Sequence, residues 1–305
     1  MTTSTLSASV PTASAVPSIS TAAMLVELSI GTWTGRKLDK RASQDVTSSN
    51  NADKGVANVH KKLLGDCAEL DAVQKFTANA RNVHYACTMP WSDTGLRLLP
   101  TTQYFKYHQE MTALQSEYQR LVQNFLDAYS WEIQNSQLKL GALFNADEYP
   151  TADSLIHKFR FSMNYMPLPD VGDWRVAIGG ETEQALRSQY EGYYATQLQS
   201  AMGDVWRRAH DALTKMSERL DYADDNTRKV FRDSLVSNVT DIIDLLGACN
   251  VTNDPVMSAA QRDLDDAMRG ITPDALREDP YLRAQTKRQV DAVRKTIDNL
   301  PSLGF

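Results

Sequence analysis

A chain of 305 residues, 42% hydrophobic and 23% charged, is long enough to bury a substantial core, as one large domain or two smaller ones. It has no run of the roughly 18 apolar residues that a membrane span needs, so a soluble protein without membrane contact is expected. A formal net charge of −6 argues against a surface that grips nucleic acid on every side, but net charge does not locate charge.

Location is more telling. Residues 1–65 hold seven cations (Arg36, Lys37, Lys40, Arg41, Lys54, Lys61, Lys62) against four acids (Glu27, Asp39, Asp45, Asp53), while the rest of the chain holds 25 cations and 34 acids. Basic character is therefore concentrated near the start of an acidic protein. Residues 1–23 are dominated by Ser, Thr, Ala and Pro and contain no Lys or Arg. They lack the charged region of a signal peptide and read as a disordered tail. Cys67, Cys87 and Cys249 are far apart and odd in number, which suits a reduced, intracellular protein whose cysteines are small buried hydrophobes.

Along the chain, residues 24–30 alternate, with Met24, Val26, Leu28 and Ile30 on one side and Glu27 and Ser29 on the other, as in a half-buried strand. The patch Thr32-Trp33-Thr34-Gly35-Arg36-Lys37-Leu38-Asp39-Lys40-Arg41 follows at once. Residues 43–53 are Ser- and Asn-rich and predict a mobile or partly helical excursion. A helix is expected over residues 66–87, capped by Asp66, and a longer one over residues 101–140 with Tyr104, Tyr107, Met111, Leu114, Tyr118, Leu121, Phe125 and Ala128 as its apolar stripe. A short helix over residues 151–158 precedes alternating residues 159–165, a turn at residues 166–172 and a partner strand at residues 173–178. Residues 181–220, 225–246, 255–269 and 281–298 all read as helix. The expected class is mainly α with a small antiparallel sheet of about three strands. Its domains are a 1–23 tail, a 24–180 α+β core and a 181–305 helical region packed on that core.

No signature of catalysis is present: no Walker loop, Gly-x-Gly-x-x-Gly, Gly-x-Ser-x-Gly or His-Glu-x-x-His. The acidic runs Asp221, Asp224, Asp225 and Asp263, Asp265, Asp266 read as helix caps or solvated faces. No cofactor, no metal and no enzymatic activity are expected. Nucleic-acid binding is better supplied, because single strands are held by cations along the phosphates and by aromatic rings under the bases. Arg36, Lys37, Lys40 and Arg41 are the candidate phosphate contacts, with Trp33 as a stacking ring. Arg160, between Phe159 and Phe161, and the neighbours Trp174 and Arg175 form a second candidate set.

The residue 32–40 patch, the segment Pro90-Trp91-Ser92-Asp93 with Gly95 and Arg97-Leu98-Leu99-Pro100, and residues 159–173 together resemble a phage protein family. Within it the similarity is to the Drc-type single-stranded-DNA-binding RNA polymerase cofactors of podoviruses, over residues 24–178. The resemblance implies a non-enzymatic protein of non-OB fold in the host cell cytoplasm. It would bind single-stranded DNA and meet a phage RNA polymerase at melted promoters, or replication proteins. It also implies an alternative, an adaptor working beside an AAA-type ATPase and a von Willebrand-type partner without DNA binding. The long amphipathic helices suit docking or homo-oligomerisation. The terminal Phe305 loosely matches the tail of single-strand binders.

Overall fold

The computed structural model describes residues 19–170, 180–222 and 232–300. The described residues are 67% helical, with a four-stranded antiparallel sheet and a two-stranded one, so the expected mainly α class with a minor sheet holds. In order, the elements are β1 (Ala23–Gly31), β2 (Arg36–Leu38), α1 (Lys40–Ser49), β3 (His60–Lys62), α2 (Ala68–Cys87), β4 (Met89–Pro90), β5 (Leu96–Pro100), α3 (Tyr104–Leu140), α4 (Ala152–Ile156) and β6 (Arg160–Pro167). After them come α5 (Gly180–Leu220), α6 (Ser234–Cys249), α7 (Pro255–Met268), α8 (Pro273–Glu278) and α9 (Pro280–Asp298). The larger sheet has the order β4-β5-β1-β6, and β2 pairs with β3. The expected strand at residues 173–178 lies outside the described residues.

Two compact units make up the chain, and they differ from the division expected at residue 180. One comprises the described residues of Val26–Cys87 and Tyr104–Asn164; the other comprises those of Met1–Leu25, Thr88–Gln103 and Tyr165–Phe305. Both therefore draw on segments distant in sequence, which a linear reading divides at composition changes instead.

The first unit is built on α2 and α3. Residues Tyr107, Met111, Tyr118, Val122, Phe125 and Tyr129 of α3 are buried. They are spaced by three, four or seven positions, so one stripe faces inward over most of the helix. Of the expected stripe Tyr107, Met111, Tyr118 and Phe125 are buried, while Tyr104, Leu114, Leu121 and Ala128 are only half-buried; Val122 and Tyr129 complete the buried face. The end of α2 meets the start of α3 where His84 Nδ1 lies 2.7 Å from the Tyr107 hydroxyl. Its beginning lies beside the other end of α3, where the Lys139 ammonium donates to the Asp66 carbonyl at 3.4 Å. The two helices are thus antiparallel.

The second unit is a helical assembly around α5, whose Tyr194, Leu198, Ala201, Val205, Ala209, Leu213 and Met216 are buried. They share a core with Ile243 and Leu246 of α6, Leu264 of α7, Leu276 of α8 and Val290 of α9. Helices α7, α8 and α9 each start with a proline, after the caps Asp254, Thr272 and Asp279. Proline costs nothing where the N–H has no helical partner, and the caps accept from the free donors behind it. The segment around Trp91 belongs here: its ring meets Tyr194 edge-on at 5.3 Å, and Arg97 and Arg208 both donate to the Thr88 carbonyl, at 2.8 and 2.9 Å.

Residues 19–23, assigned by composition to the tail, are ordered. Ile19 is buried, its N–H donates to the Tyr194 hydroxyl at 3.2 Å, and Ala23 already begins β1. Burial of a single large apolar side chain contributes about 1.5–3 kcal/mol, enough to order a short polar stretch around it.

Candidate nucleic-acid interface

Beyond β1 the chain is clamped onto α2 and α3 before it turns outward. Trp33 is 8% exposed; its ring lies 6.1 Å from Phe125 and 5.9 Å, edge-on, from Tyr129. Gln74 donates from α2 to the carbonyls of Trp33 and Thr34, at 3.3 Å each. Gly35 has φ +62°, and a Cβ there would stand 2.7 Å from Leu70 Cδ2. Only glycine combines that backbone with that approach.

The strands that follow put cation against cation. In the antiparallel β2–β3 pair, Arg36 faces Lys62, Lys37 faces Lys61 and Leu38 faces His60. Like charges directly opposite are destabilising, and two of the four are neutralised locally. Lys61 bridges Glu148 at 2.7 Å and Asp39 at 3.3 Å and donates to the Leu143 carbonyl at 2.8 Å. Glu148, foremost, and Asp39 hold its ammonium above the usual lysine range. Lys62 reaches Asp66 at 3.2 Å. Arg36 and Lys37 are exposed and have no acidic partner among the described residues.

Helix α1 adds to this excess. Asp39 caps it, its carboxylate accepting from the Ala42 N–H at 3.0 Å. That bond, with help from Lys61, holds the carboxyl below its ordinary range. The cap explains why residues 40–49 form a helix, so the expected mobile or partly helical excursion over residues 43–53 is helical as far as residue 49. The first turn then carries Lys40 and Arg41 and no acid. Cations at a helix N-terminus oppose the peptide dipole, whereas an anion placed there is stabilised by both. Lys37, Lys40, Arg41 and Lys61 line a groove of about 580 Å³ with Phe144 and Asn145. Lys40 also lines a smaller hollow of about 190 Å³ with Lys54 and Asn58.

Of the sequence candidates, Arg36, Lys37, Lys40 and Arg41 come together on this ribbon and helix. Trp33 does not join them as a stacking platform. It is a core residue, because its ring finds two aromatic partners on α3 and leaving it in water would forfeit that burial. Phe161 is likewise buried, against Tyr118 at 5.5 Å, and Phe159 packs on Phe125 at 5.7 Å. Arg160 is exposed on β6, where it donates to Ser29 Oγ at 2.7 Å, and it lines neither groove. Trp174, Arg175 and Phe305 lie outside the described residues. The structure adds Lys54, Lys61 and Lys62 to the site. Their only signal in the sequence was the local count of charge, since the pairing of β2 with β3 spans more than twenty residues.

In the acidic runs Asp263 is exposed, Asp224 and Asp225 lie outside the described residues, and the others meet cations. Arg269 takes Asp266 at 2.8 Å and Asp265 at 3.2 Å, and Asp221 lies 3.8 Å from Lys287. No helix among the described residues is long and apolar enough to cross a membrane. Comparison with known proteins finds no matching family model, no matching curated protein and no matching solved structure.

Proposed function

We propose that the protein binds single-stranded DNA without turnover. The phosphates would lie along β2, the first turn of α1 and the edge of β3. The observation that carries this reading is the cluster of Arg36, Lys37, Lys40 and Arg41: four exposed cations, with no acidic partner among the described residues. Lys40 and Arg41 stand against the helix dipole, and Arg36 and Lys37 face, across the ribbon, lysines that are themselves ion-paired. An arrangement unfavourable to the folded chain alone is favourable once a polyanion occupies it. The choice of a single strand, and of a phage cofactor that recruits RNA polymerase at melted promoters or serves replication in the host cytoplasm, rests on the family resemblance. With Trp33 buried, phosphate contacts dominate and recognition is tolerant of sequence.

Fluorescence anisotropy with a labelled oligonucleotide tests it. The pair Arg36→Glu with Lys37→Glu is expected to weaken single-strand binding at least about tenfold at low salt. Unchanged affinity, or equal loss with an unrelated surface pair such as Lys158→Glu with Lys106→Glu, would remove the ribbon from the site.

One observation favours the adaptor reading. Trp131 and Leu138, 62% and 86% exposed, stand seven residues apart on one side of α3, the spacing of helix-docking anchors. A stable protein complex on a sizing column that dissociates in Trp131→Ala with Leu138→Ala, from a protein with no affinity for DNA, would decide for it.

A further inference from the structure

Below the cationic ribbon, the start of α2 and the last third of α3 bring together three metal-ligating side chains. Cys67 Sγ, one carboxylate oxygen of Glu69 and one of Glu132 all lie within 4.8 Å of one another. Among the described residues no other group of three such side chains meets in this way. Cys67 and Glu132 are buried, at 2% and 5% exposed, and Glu69 is half-buried.

Glu132 supplies the observation that separates this cluster from an ordinary acidic group. Its Oε2 is shut off from solvent and has no hydrogen-bond partner. A buried carboxylate oxygen left without a donor carries its full desolvation penalty. The nearest ammonium on its own helix, that of Lys139, donates to the Asp66 carbonyl. Burial pushes the Glu132 carboxyl up and the Cys67 thiol up to about 11. Cys67 and Glu69 already meet, the thiol donating to Glu69 Oε2 at 3.7 Å, so what the cluster lacks is a partner for Glu132 Oε2. A divalent cation among them supplies it.

We propose that Cys67, Glu69 and Glu132 bind one zinc ion, with a water in the fourth position. Thiolate selects against magnesium and calcium, and a mixed sulfur and carboxylate set suits zinc. With Zn–S near 2.3 Å and Zn–O near 2.0 Å, tetrahedral ligands stand roughly 3.5 Å apart. Cys67 Sγ and Glu69 Oε2 are 3.7 Å apart. As zinc enters, the Cys67 S–H bond breaks, the Zn–S bond forms and the proton passes to solvent; a protonated Glu132 releases its proton likewise. The ion ties the first turn of α2 to α3 beside Leu63 and Leu64, the buried residues that anchor β3. Its role is to brace the base of the ribbon. The site stands whether or not the ribbon binds DNA.

The test uses the full chain, reduced and stripped with a chelator, titrated with Co²⁺ as a spectroscopic probe and with Zn²⁺. One equivalent of Co²⁺ is expected to produce a sulfur-to-cobalt charge-transfer band, and Zn²⁺ to raise Tm and release protons. Losing a partner of a metal ligand already costs about 10–100-fold in affinity, so Cys67→Ala and Glu132→Gln, which remove ligands, should each lose at least as much. Cys87→Ala should keep the band. Should Cys67→Ala fail to fold, Glu132→Gln decides, since it is isosteric and unburdened by charge; its circular dichroism should be that of the wild type while the Zn²⁺-induced rise in Tm disappears. No band in the wild type, or a band and a Tm rise undiminished in Glu132→Gln, would overturn the site.

Discussion

Trp33 illustrates how one side chain changes role with its surroundings. In the sequence it stands one residue before a run of cations, the neighbourhood of a base-stacking ring. In the fold it packs against Phe125 and Tyr129, while the cations are exposed. Removing it should therefore damage stability rather than recognition. Trp33→Ala is expected to destabilise by about 3–5 kcal/mol, as large-to-small core changes do, and Trp33→Phe by less, read from urea denaturation. Single-strand affinity of the folded Trp33→Phe protein should equal that of the wild type. Weaker binding at unchanged stability would restore the ring to the DNA site.

At the level of elements, α1 and the β2–β3 ribbon are where sequence reading and structure part most instructively. Residues 43–53 have poor intrinsic helix propensity, which is why a mobile or partly helical excursion is expected there. What tips residues 40–49 into a helix is the Asp39 cap together with Ser43, whose hydroxyl donates to the Asp39 carbonyl at 2.6 Å and accepts from the Val59 N–H at 2.9 Å. That second bond is tertiary and leaves no local trace. The same element separates stability from function. Lys40→Glu with Arg41→Glu replaces two cations by acids at a helix N-terminus, and each change should stabilise by ~0.3–1 kcal/mol through the dipole. DNA affinity should fall at the same time. A thermal melt and a binding titration on one preparation check both signs; a variant that loses stability and affinity together would mean that the cations serve the fold.

For the whole molecule, a net charge of −6 and a pI near 5.4 place a local positive surface on a body that repels nucleic acid. Screening beyond a Debye length of about 10 Å at 0.1 M salt confines that repulsion, so contact is decided by the ribbon alone. Four unpaired cations and about 0.7 counterion released per phosphate give an expected slope of log K against log salt of roughly −3 for single strands, cut by about half in the Arg36→Glu and Lys37→Glu pair. Titrations at several salt concentrations measure it. A slope near zero would exclude a phosphate-based interface.

Much of the fold was legible along the chain because it is written in local pattern. The period of α3, the helical stretches of α7 and α9, and the alternation of β6 each depend on neighbours a few residues away. Helix α8 escaped notice because six residues are too few to show a period. The four cations of the ribbon were also legible, since charge cannot easily be buried and so marks the surface wherever it falls. Three decisions belonged to tertiary structure alone. It buried Trp33, drew the two units from interleaved segments, and brought Cys67 and Glu69 to Glu132 across more than sixty residues. Each depends on which faces meet between segments far apart in the chain, and spacing along a sequence carries no record of that pairing.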